Sequence, residues 1–448
     1  MTETLDRSKP PINTALPNFK FPAFTELQLS FGGRLFVVED HSQPLVNCTV
    51  LLKKGAAMEP VAGLAQIAAR MMTRGTEKRN ATQIAEELEF LGAAMNFSAQ
   101  WDSTVVNVTS LGQYFETALE ICADCILNST TPEEELERVR RQSLAELQQD
   151  MADPEYLASL AFSMEFFKNH PYGHPRRGTE ETLQKITRDE CAEWNRSVFK
   201  TQPHIIISGD ITPEEAQAVV EKLFKAWEIT QKNEEKLPAV ESFKKRSIVL
   251  IEKPEALQTV LQLGQRAVHY SDEDYTAVRI INTIFGGYFL SRANALLREK
   301  HGFTYGAHSY LELRKWGTAM ILNTSVGNDV TKEALKVTIA ELQRLQHEAI
   351  TADELFSAVQ YTIGSFVRSV ETPQQVANLL QNILLHELPF DFYERFCERL
   401  ATLTPDELFA VQQRWISPDN LVIAASGNVE FLKGALAEFG EVKVLKDF

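Results

Sequence analysis

The 448-residue sequence lacks the features that define several special classes of protein. Its five cysteines are odd in number and show none of the regular spacing of a secreted disulfide framework. No window reaches the roughly 18 apolar residues of a transmembrane helix. No basic run interrupts a composition of 61 acidic and 45 basic residues, whose formal charge is −16. These absences argue against nucleic acid and membrane partners, and they favour a reducing compartment.

The amino-terminal stretch, MTETLDRSKPPINTALPNF, lacks the basic segment and apolar core of an export signal, and it is no Arg-rich amphipathic presequence. We therefore expect a cytoplasmic protein with a short N-terminal arm over residues 1–23. The chain also contains no recognisable nucleophile elbow, so a self-sufficient serine or cysteine hydrolase finds no support in the sequence.

What the sequence does contain is an internal repeat. Residues 187–211 and 404–429 both run from a helix into an apolar strand that ends in Ser-Gly. In the first copy TRDECAEWNRSVF precedes HIIISGDI, and in the second TPDELFAVQQRWI precedes LVIAASGNV. The two copies lie about 218 positions apart, which is near half the chain. The repeat indicates a duplicated domain, and the chain is longer than one hydrophobic core usually organises.

A polar segment separates the two copies. Residues 229–246 are charged and contain Pro238, and most of them lack the periodicity of a helix or strand. We interpret this segment as a linker. The predicted homologous domains are then residues 24–228 and 247–448, the first with a degenerate active site.

Strands and helices occur in separate blocks within each half, which is typical of the α+β class. Apolar and polar residues alternate on both sides of Gly32-Gly33, which predicts a hairpin, and residues 46–52 predict a further strand. Asn80, followed by Gln83, predicts the start of a helix. The second half predicts, in order, strands near 247–264, a helix at 272–285, strands at 305–324 and long amphipathic helices over 331–416. We expect each domain to be a mostly antiparallel sheet backed by helices.

The segment GAAMEPVAGLAQIAARMMTRGTEKRNATQIAEELEFLGAAMNFSAQWDSTVVNV, residues 55–108, resembles the active-site region of pitrilysin/insulinase peptidases. In that family a helix carries the zinc-binding motif H-x-x-E-H. Here Gln66, Ala69 and Arg70 stand at the His, Glu and His positions. Glu146 matches the family's third ligand, a carboxylate on a later helix. The resemblance implies that this chain by itself holds no zinc and no other cofactor.

The retained carboxylate suggests what fills the vacated position. Arg70 introduces a fixed positive charge where the family has a zinc ligand, and Glu146 is the acid expected opposite it. We predict an ion pair between these two side chains. The alternative is that Glu146 belongs to an ordinary charged helix face, since it lies in EEELERVRRQSLAELQQD.

A second segment, IFGGYFLSRANALLREKHGFTYGAHSYLELRKWGTAMILNTSV, is similar to the signature of the family's second half. Arg298 and Tyr305 have the spacing of the Arg/Tyr pair that in the family contacts substrate. The resemblance therefore implies a catalytic role for both, because a phenol can donate to the oxyanion of a reacting peptide. Gly286 and Gly287 would permit close approach of backbone or of peptide substrate, although a double glycine is more often just a turn. Taken singly, an Arg late in a helix and a Tyr near a strand are also ordinary structural residues.

Two further motifs are interpreted as structural. Cys122 and Cys125 form a C-x-x-C, but it lies in the apolar helical run ALEICADCIL without a second pair. His170 and His174, in NHPYGHP, have a spacing seen in zinc sites. Proline and glycine between them exclude a regular helix, and similar turns occur in the family.

The resemblance covers residues 25–430 and implies a half clamshell that accepts unfolded peptides. We expect a non-zinc subunit that is inactive alone and pairs with a homologous subunit carrying H-x-x-E-H and zinc. This chain would contribute Arg298 and Tyr305 to the shared site. The alternative is a non-catalytic scaffold or a peptide-binding core-type subunit, so whether the chain acts in an enzyme stays open at this point.

Overall fold

A computed structural model describes residues 19–230, 236–241 and 244–446. The strands are β1 Thr25–Gln28, β2 Arg34–Glu39, β3 Leu45–Leu52, β4 Ala94–Ala99, β5 Thr104–Leu111, β6 His204–Gly209, β7 Ser247–Glu252, β8 Gln258–Arg266, β9 Ala307–Leu313, β10 Thr318–Gly327, β11 Val422–Gly427 and β12 Glu441–Leu445. The helices are α1 Leu64–Met71, α2 Ala81–Phe90, α3 Phe115–Asn128, α4 Glu133–Ala152, α5 Pro154–Phe166, α6 Glu180–Lys185, α7 Arg188–Phe199, α8 Pro213–Phe224, α9 Tyr275–Asn282, α10 Arg292–Asn294, α11 Thr331–His347, α12 Ala352–Arg368, α13 Pro373–His386, α14 Phe392–Thr402, α15 Pro405–Trp415 and α16 Val429–Leu436. Two π-helical turns, Thr283–Gly287 and Ala295–Lys300, continue α9 and α10.

The strands form two six-stranded sheets with related topologies. The first has the order β1-β2-β6-β3-β5-β4 and the second the order β12-β7-β11-β8-β10-β9. Most neighbours are antiparallel, and the parallel pairs are β2–β6, β7–β11 and β7–β12. The strands of the internal repeat, β6 and β11, occupy corresponding places, each with its preceding helix, α7 or α15. This arrangement confirms the predicted α+β class.

Local sequence signals are realised where they were predicted. The β1–β2 hairpin pairs Gln28 with Arg34 and turns at Gly32, whose φ of +97° favours glycine. Asn80 caps helix α2: its side chain accepts from the Gln83 backbone N–H, while the Gln83 side chain accepts from the Asn80 N–H. Short-range chemistry therefore sets the boundaries of these elements.

The described part of the N-terminal arm packs on helices of the second half. The Phe19 ring lies 4.9 Å from that of Phe366 on α12, and the Phe21 ring lies 6.0 Å from that of Tyr393 on α14. Residues 1–18 of the predicted arm lie outside the described residues. Of the predicted linker, residues 231–235 and 242–243 are likewise outside them, and residues 236–241 form neither helix nor strand.

One helix from each half packs on the sheet of the other half, which the sequence did not predict. Helix α5 packs against β7, β8 and β11 of the second sheet, and α13 packs against β2, β3 and β6 of the first. Gly264 on β8 makes the α5 contact possible, because a Cβ there would lie 2.4 Å from Cζ of Phe162. One face of each sheet is therefore covered by a helix that comes from the other half of the chain.

A buried arginine lies at the junction between the halves. Arg314, just after β9, stacks its guanidinium on three rings, with centroid distances of 4.6 Å to Trp101, 4.2 Å to Phe167 and 4.9 Å to Tyr172. The Tyr172 hydroxyl donates to Asp102, whose other carboxylate oxygen accepts from the Lys315 backbone N–H at 3.0 Å. This junction joins residues from both halves of the chain.

Within the part of the chain that the structure describes, no helix is both long enough and apolar enough to cross a membrane.

Candidate functional site

Helix α1, which carries the positions of the lost zinc motif, is held firmly at its start. The buried Glu59 carboxylate accepts from the backbone N–H groups of Gly63 at 3.0 Å and Ala65 at 2.6 Å. Burial raises the pKa of Glu59 to about 8, while these two hydrogen bonds act in the opposite direction. Apolar side chains bury most of α1 in the first-half core, so its residues have defined positions.

The three motif positions on α1 are occupied by side chains with other partners. The Gln66 amide donates to the backbone oxygen of Ala99 on β4 at 2.6 Å, and Ala69 is packed in the core. The Arg70 guanidinium meets the Glu146 carboxylate on α4 with two bonds, Nη1–Oε1 at 3.1 Å and Nη2–Oε2 at 2.5 Å. The predicted ion pair is therefore present in the structure.

The ion pair belongs to a small polar network. Nη1 of Arg70 also donates to the Ser143 hydroxyl at 3.2 Å, and Arg177 reaches Glu146 at 3.5 Å and Asp150 at 3.1 Å. Hydrogen bonding to Arg70 is the largest influence on the Glu146 carboxyl, and it lowers its pKa. The sequence prediction missed Arg177 and Asp150. The Arg177 position, far from α4 in sequence, gave no signal.

These residues do not fit a zinc ion. Zinc sites use neutral imidazoles, thiolates and carboxylates, whereas Gln66 and Ala69 supply no such ligand and Arg70 occupies the one retained carboxylate. Across the described residues, no group of three or more His, Cys, Asp or Glu could hold a metal ion. Helices α1 and α4 of this chain therefore do not form the zinc site of the H-x-x-E-H motif.

Replacing Arg70 by Ala should raise the pKa of Glu146 towards its usual range. The lowered pKa means that the pair stabilises the fold above the unfolded-state pKa of about 4.3, and that this stabilisation is lost as the pH falls through the lower folded-state pKa. Since both side chains are at least a third exposed, the loss at pH 7 should be at most about 1 kcal/mol. Carbon-detected NMR titration of Glu146 and thermal unfolding at pH 7 and pH 3 measure both effects.

The matched control for this variant is Arg177→Ala. Arg177 makes only a 3.5 Å contact with Glu146, so its loss should move the Glu146 pKa less. A Glu146 pKa that stays in place in Arg70→Ala would contradict the assigned role of the pair.

The second-half pair lies in a different environment. Arg298 projects from the π-helical turn Ala295–Lys300, with its guanidinium 4.6 Å from the centroid of the Phe289 ring. Tyr305 lies in the segment leading to β9, and 95% of it is exposed. No hydrogen bond to another described residue holds its hydroxyl. The Tyr305 hydroxyl is therefore open to solvent, whereas the Arg298 side chain is 36% exposed and its Nε lies 3.6 Å from the Glu299 carboxylate.

The predicted second-half pair, Arg298 and Tyr305, makes no contact with the Arg70–Glu146 pair among the described residues. Within the described chain, no hydrogen bond or ring contact links Arg298 to Tyr305, or either of them to the Arg70–Glu146 pair. Phe289 and Leu290, missed by the sequence prediction, are 64% and 73% exposed beside Arg298. Their signal was present as an apolar pair that follows Tyr288, one residue after the double glycine. Large exposed apolar side chains of this kind commonly mark interaction surfaces.

Of the two alternatives for Gly286, the structure shows close approach of the chain's own backbone. Gly286 is buried, and a Cβ on it would lie 2.5 Å from the Cβ of Ser309 on β9. The absence of a side chain therefore lets the chain's own strand approach, so this space is not open to substrate. Gly287 is partly exposed and lines a cavity next to β9, so the prediction for it remains open.

The remaining motifs are structural in this fold. Cys122 and Cys125 are buried in α3, where burial raises the pKa of both thiols. His170 caps a short 3₁₀ turn by accepting from the Tyr172 N–H at 3.1 Å, and His174 contacts the Ala56 carbonyl oxygen at 3.3 Å. These contacts confirm the interpretation made from the sequence.

Comparison with protein families identifies this arrangement. Residues 34–180 match the family described as insulinase, peptidase family M16, and residues 185–361 match the peptidase M16 inactive domain. The chain belongs to the M16 family. The matched ranges contain both the α1 positions and the Arg298/Tyr305 pair.

Individual M16 relatives agree with this membership. A Rickettsia bellii protein named an uncharacterized zinc protease is 28% identical over 277 residues, 60% of this chain and 66% of that protein. A Helicobacter pylori protein named non-peptidase homolog YmxG is 22% identical over 375 residues, 83% of this chain and 86% of that protein. A Pseudomonas fluorescens structure described as a peptidase M16 inactive domain has a TM-score of 0.83 at 24% identity, covering 91% of this chain and 98% of that one.

Proposed function

We propose that this M16 chain is the non-zinc subunit of a two-subunit zinc peptidase. One contrast carries the proposal: the zinc positions are closed by the Arg70–Glu146 ion pair, whereas the hydroxyl of Tyr305, seven residues after Arg298, is open to solvent. A hydroxyl that is open to solvent and has no partner among the described residues is available to donate to a bound substrate.

The substrate is an unfolded peptide. In this proposal the Tyr305 hydroxyl donates a hydrogen bond to the oxyanion formed at the scissile carbonyl. Arg298 donates hydrogen bonds to backbone carbonyls of the peptide. Strands β4 and β9 are the outer strands of the two sheets on the same side of the topology. An outer strand can pair its backbone with an extended peptide, which gives affinity without demanding a particular sequence.

The partner is a homologous subunit that carries H-x-x-E-H and supplies the zinc. Phe289 and Leu290 are candidates for its contact surface because both are largely exposed and the Phe289 ring contacts Arg298. Placing them at the subunit boundary also delivers Arg298 to the partner's site. We place the complex in the cytoplasm, since all five cysteines are free and buried.

The test is peptidase activity on an unstructured fluorogenic peptide with zinc present. This chain alone, an H-x-x-E-H subunit alone and their mixture are assayed at equal concentrations. The proposal expects substantial activity only in the mixture. If the zinc subunit alone cleaves the peptide as fast as the mixture does, the chain is a scaffold or peptide-binding subunit. The name of the Helicobacter relative, non-peptidase homolog, supports that alternative.

A further inference from the structure

A cavity of about 570 Å³ lies in the second half, between α9, α12, α14 and β9. Its position corresponds to that of the lost zinc site in the first half. Helices α1 and α9 each follow the strand that pairs with a repeat strand, and each faces an outer strand, β4 or β9. Gln66 on α1 donates to a carbonyl of β4, and Asn282 on α9 likewise donates to the Ser309 carbonyl of β9 at 3.2 Å. The cavity is therefore the second copy of the site region.

The chemistry of this second copy differs from that of the first in one respect. In the first half, Arg70 on α1 is neutralised by Glu146 on α4. In the second half, Arg279 on α9 lines the cavity, and α12 faces it with neutral side chains such as Tyr361, Thr362 and Ser365. Among the described residues that line the cavity, none is Asp or Glu. Arg279 therefore has no counter-charge there.

The guanidinium is enclosed by aromatic side chains and still reached by solvent. Nη1 of Arg279 donates to the Tyr275 hydroxyl at 3.1 Å, and Cζ of the Arg279 guanidinium lies 5.5 Å from the centroid of the Phe396 ring. These are its side-chain contacts with described residues. A guanidinium has five N–H donors, so most of them point to no protein acceptor. The residue nevertheless keeps an exposed surface, because it lines the cavity rather than the core.

Further donors surround the same space. The Asn382 amide donates to the Tyr393 hydroxyl at 2.9 Å, and both residues line the cavity with Tyr270. Burial raises the pKa of Tyr393 to about 12, so this phenol stays protonated at neutral pH. An unpaired cation among neutral hydroxyls and amides is the environment that a carboxylate binds, since charge-assisted bonds to a guanidinium are stronger than neutral ones.

We propose that the Arg279 cavity binds a carboxylate of an extended peptide, at its C-terminus or on an acidic side chain. The volume is within the range of small-ligand pockets, and β9 forms one wall of it, next to which an extended chain can lie. This site is separate from Arg298 and Tyr305 and needs no partner subunit. It holds an acidic group of the peptide and does no chemistry on it.

The carboxylate has two possible sources. One is a separate peptide. The other is the chain itself, because Phe19 and Phe21 contact Phe366 and Tyr393 at the cavity, and Glu3 and Asp6 precede them in sequence, outside the described residues. A variant with Glu3→Gln and Asp6→Asn distinguishes the two sources.

Isothermal titration calorimetry on the full chain tests the proposal. The probes are two N-acetylated decapeptides of Ser, Thr and Gly, identical except that one ends in a carboxylate and the other in an amide. A third probe has an amide end and one internal Glu. We expect the two acidic probes to bind at least about tenfold more tightly than the neutral one, and Arg279→Gln to abolish that difference.

The controls separate the site from general charge effects. Arg368→Gln removes the same charge from an exposed position on α12 outside the cavity, and this variant should keep the preference. Arg279→Lys should retain part of it, and circular dichroism checks that all variants fold. If only the variant at Glu3 and Asp6 shows the acidic preference, the carboxylate comes from the chain itself.

Equal binding of acidic and neutral probes, in both the natural chain and the Glu3/Asp6 variant, would overturn the proposal. So would an equal loss of preference in Arg368→Gln. Neither result bears on the two-subunit peptidase, whose test uses Tyr305 and the mixed subunits.

Discussion

Tyr305→Phe should reduce the turnover of the mixed peptidase by about 10²-fold or more, because it deletes one hydroxyl and leaves the ring. Loss of a single donor to an oxyanion typically costs about 10²–10³ in rate, or roughly 3–4 kcal/mol of transition-state stabilisation. Tyr305 is 95% exposed, so the change disturbs no packing in this chain. The thermal unfolding midpoint should therefore stay unchanged while the rate falls.

The division of the effect between kcat and KM identifies the role of each residue. A donor used only in the transition state lowers kcat and kcat/KM together, whereas a residue that binds substrate and transition state equally changes mainly KM. We expect Tyr305→Phe to act on kcat. Arg298→Ala should act mainly on KM, because Arg298 is assigned to backbone carbonyls that are present throughout the reaction.

The matched control is Tyr114→Phe. Tyr114 is a partly exposed tyrosine in the first half, far in sequence from the pair, and its hydroxyl has no assigned role. Its variant should keep full activity. Unchanged activity in both Tyr305→Phe and Arg298→Ala would show that the chain serves the complex as a scaffold.

Arg314→Ala should destabilise the chain by about 3–5 kcal/mol, the largest effect on folding that we expect from one substitution. The side chain is 7% exposed and stacks on Trp101, Phe167 and Tyr172 at the junction of the halves. Its removal deletes three desolvated cation–π contacts and leaves a void between the rings. It also leaves the Glu312 carboxylate without the partner that it holds in the structure.

Chemical denaturation followed by tryptophan fluorescence measures this loss. Trp101 and Trp316 lie at the junction, so they report directly on its opening. Arg368→Ala is the control, because Arg368 is exposed on α12, and it should change stability by no more than about 0.5 kcal/mol. A loss in Arg314→Ala as small as that in the control would show that the junction contributes little.

Helices α5 and α13 each pack on the sheet of the other half, so we expect a second observable effect in the Arg314→Ala variant. Each sheet has one face covered by a helix from the other half, so opening the junction exposes apolar surface on both halves at once. We therefore expect a single transition shifted to lower denaturant, with both halves unfolding together. Two separate transitions would mean that each half keeps its sheet covered by itself.

The sequence by itself determined the local elements and the loss of the zinc site. Hairpin and cap signals at Gly32 and Asn80 act within a few residues, so they could be interpreted without any tertiary information. The same holds for Gln66, Ala69 and Arg70, because the identity of a ligand is a property of the side chain. The Arg70–Glu146 pair was also predictable. The family resemblance implied that these two positions, 76 residues apart in sequence, lie close together in space.

Only the tertiary structure decided which surfaces meet. The apolar side chains of α5 and α13 indicate that each helix is buried, but not which sheet buries it, and here the sheet belongs to the other half. The same limit explains Gly286, whose open space is filled by Ser309, and Arg279, whose lack of a counter-charge shows only once α12 is in place. Burial and charge balance depend on segments far apart in sequence, and packing brings those segments together.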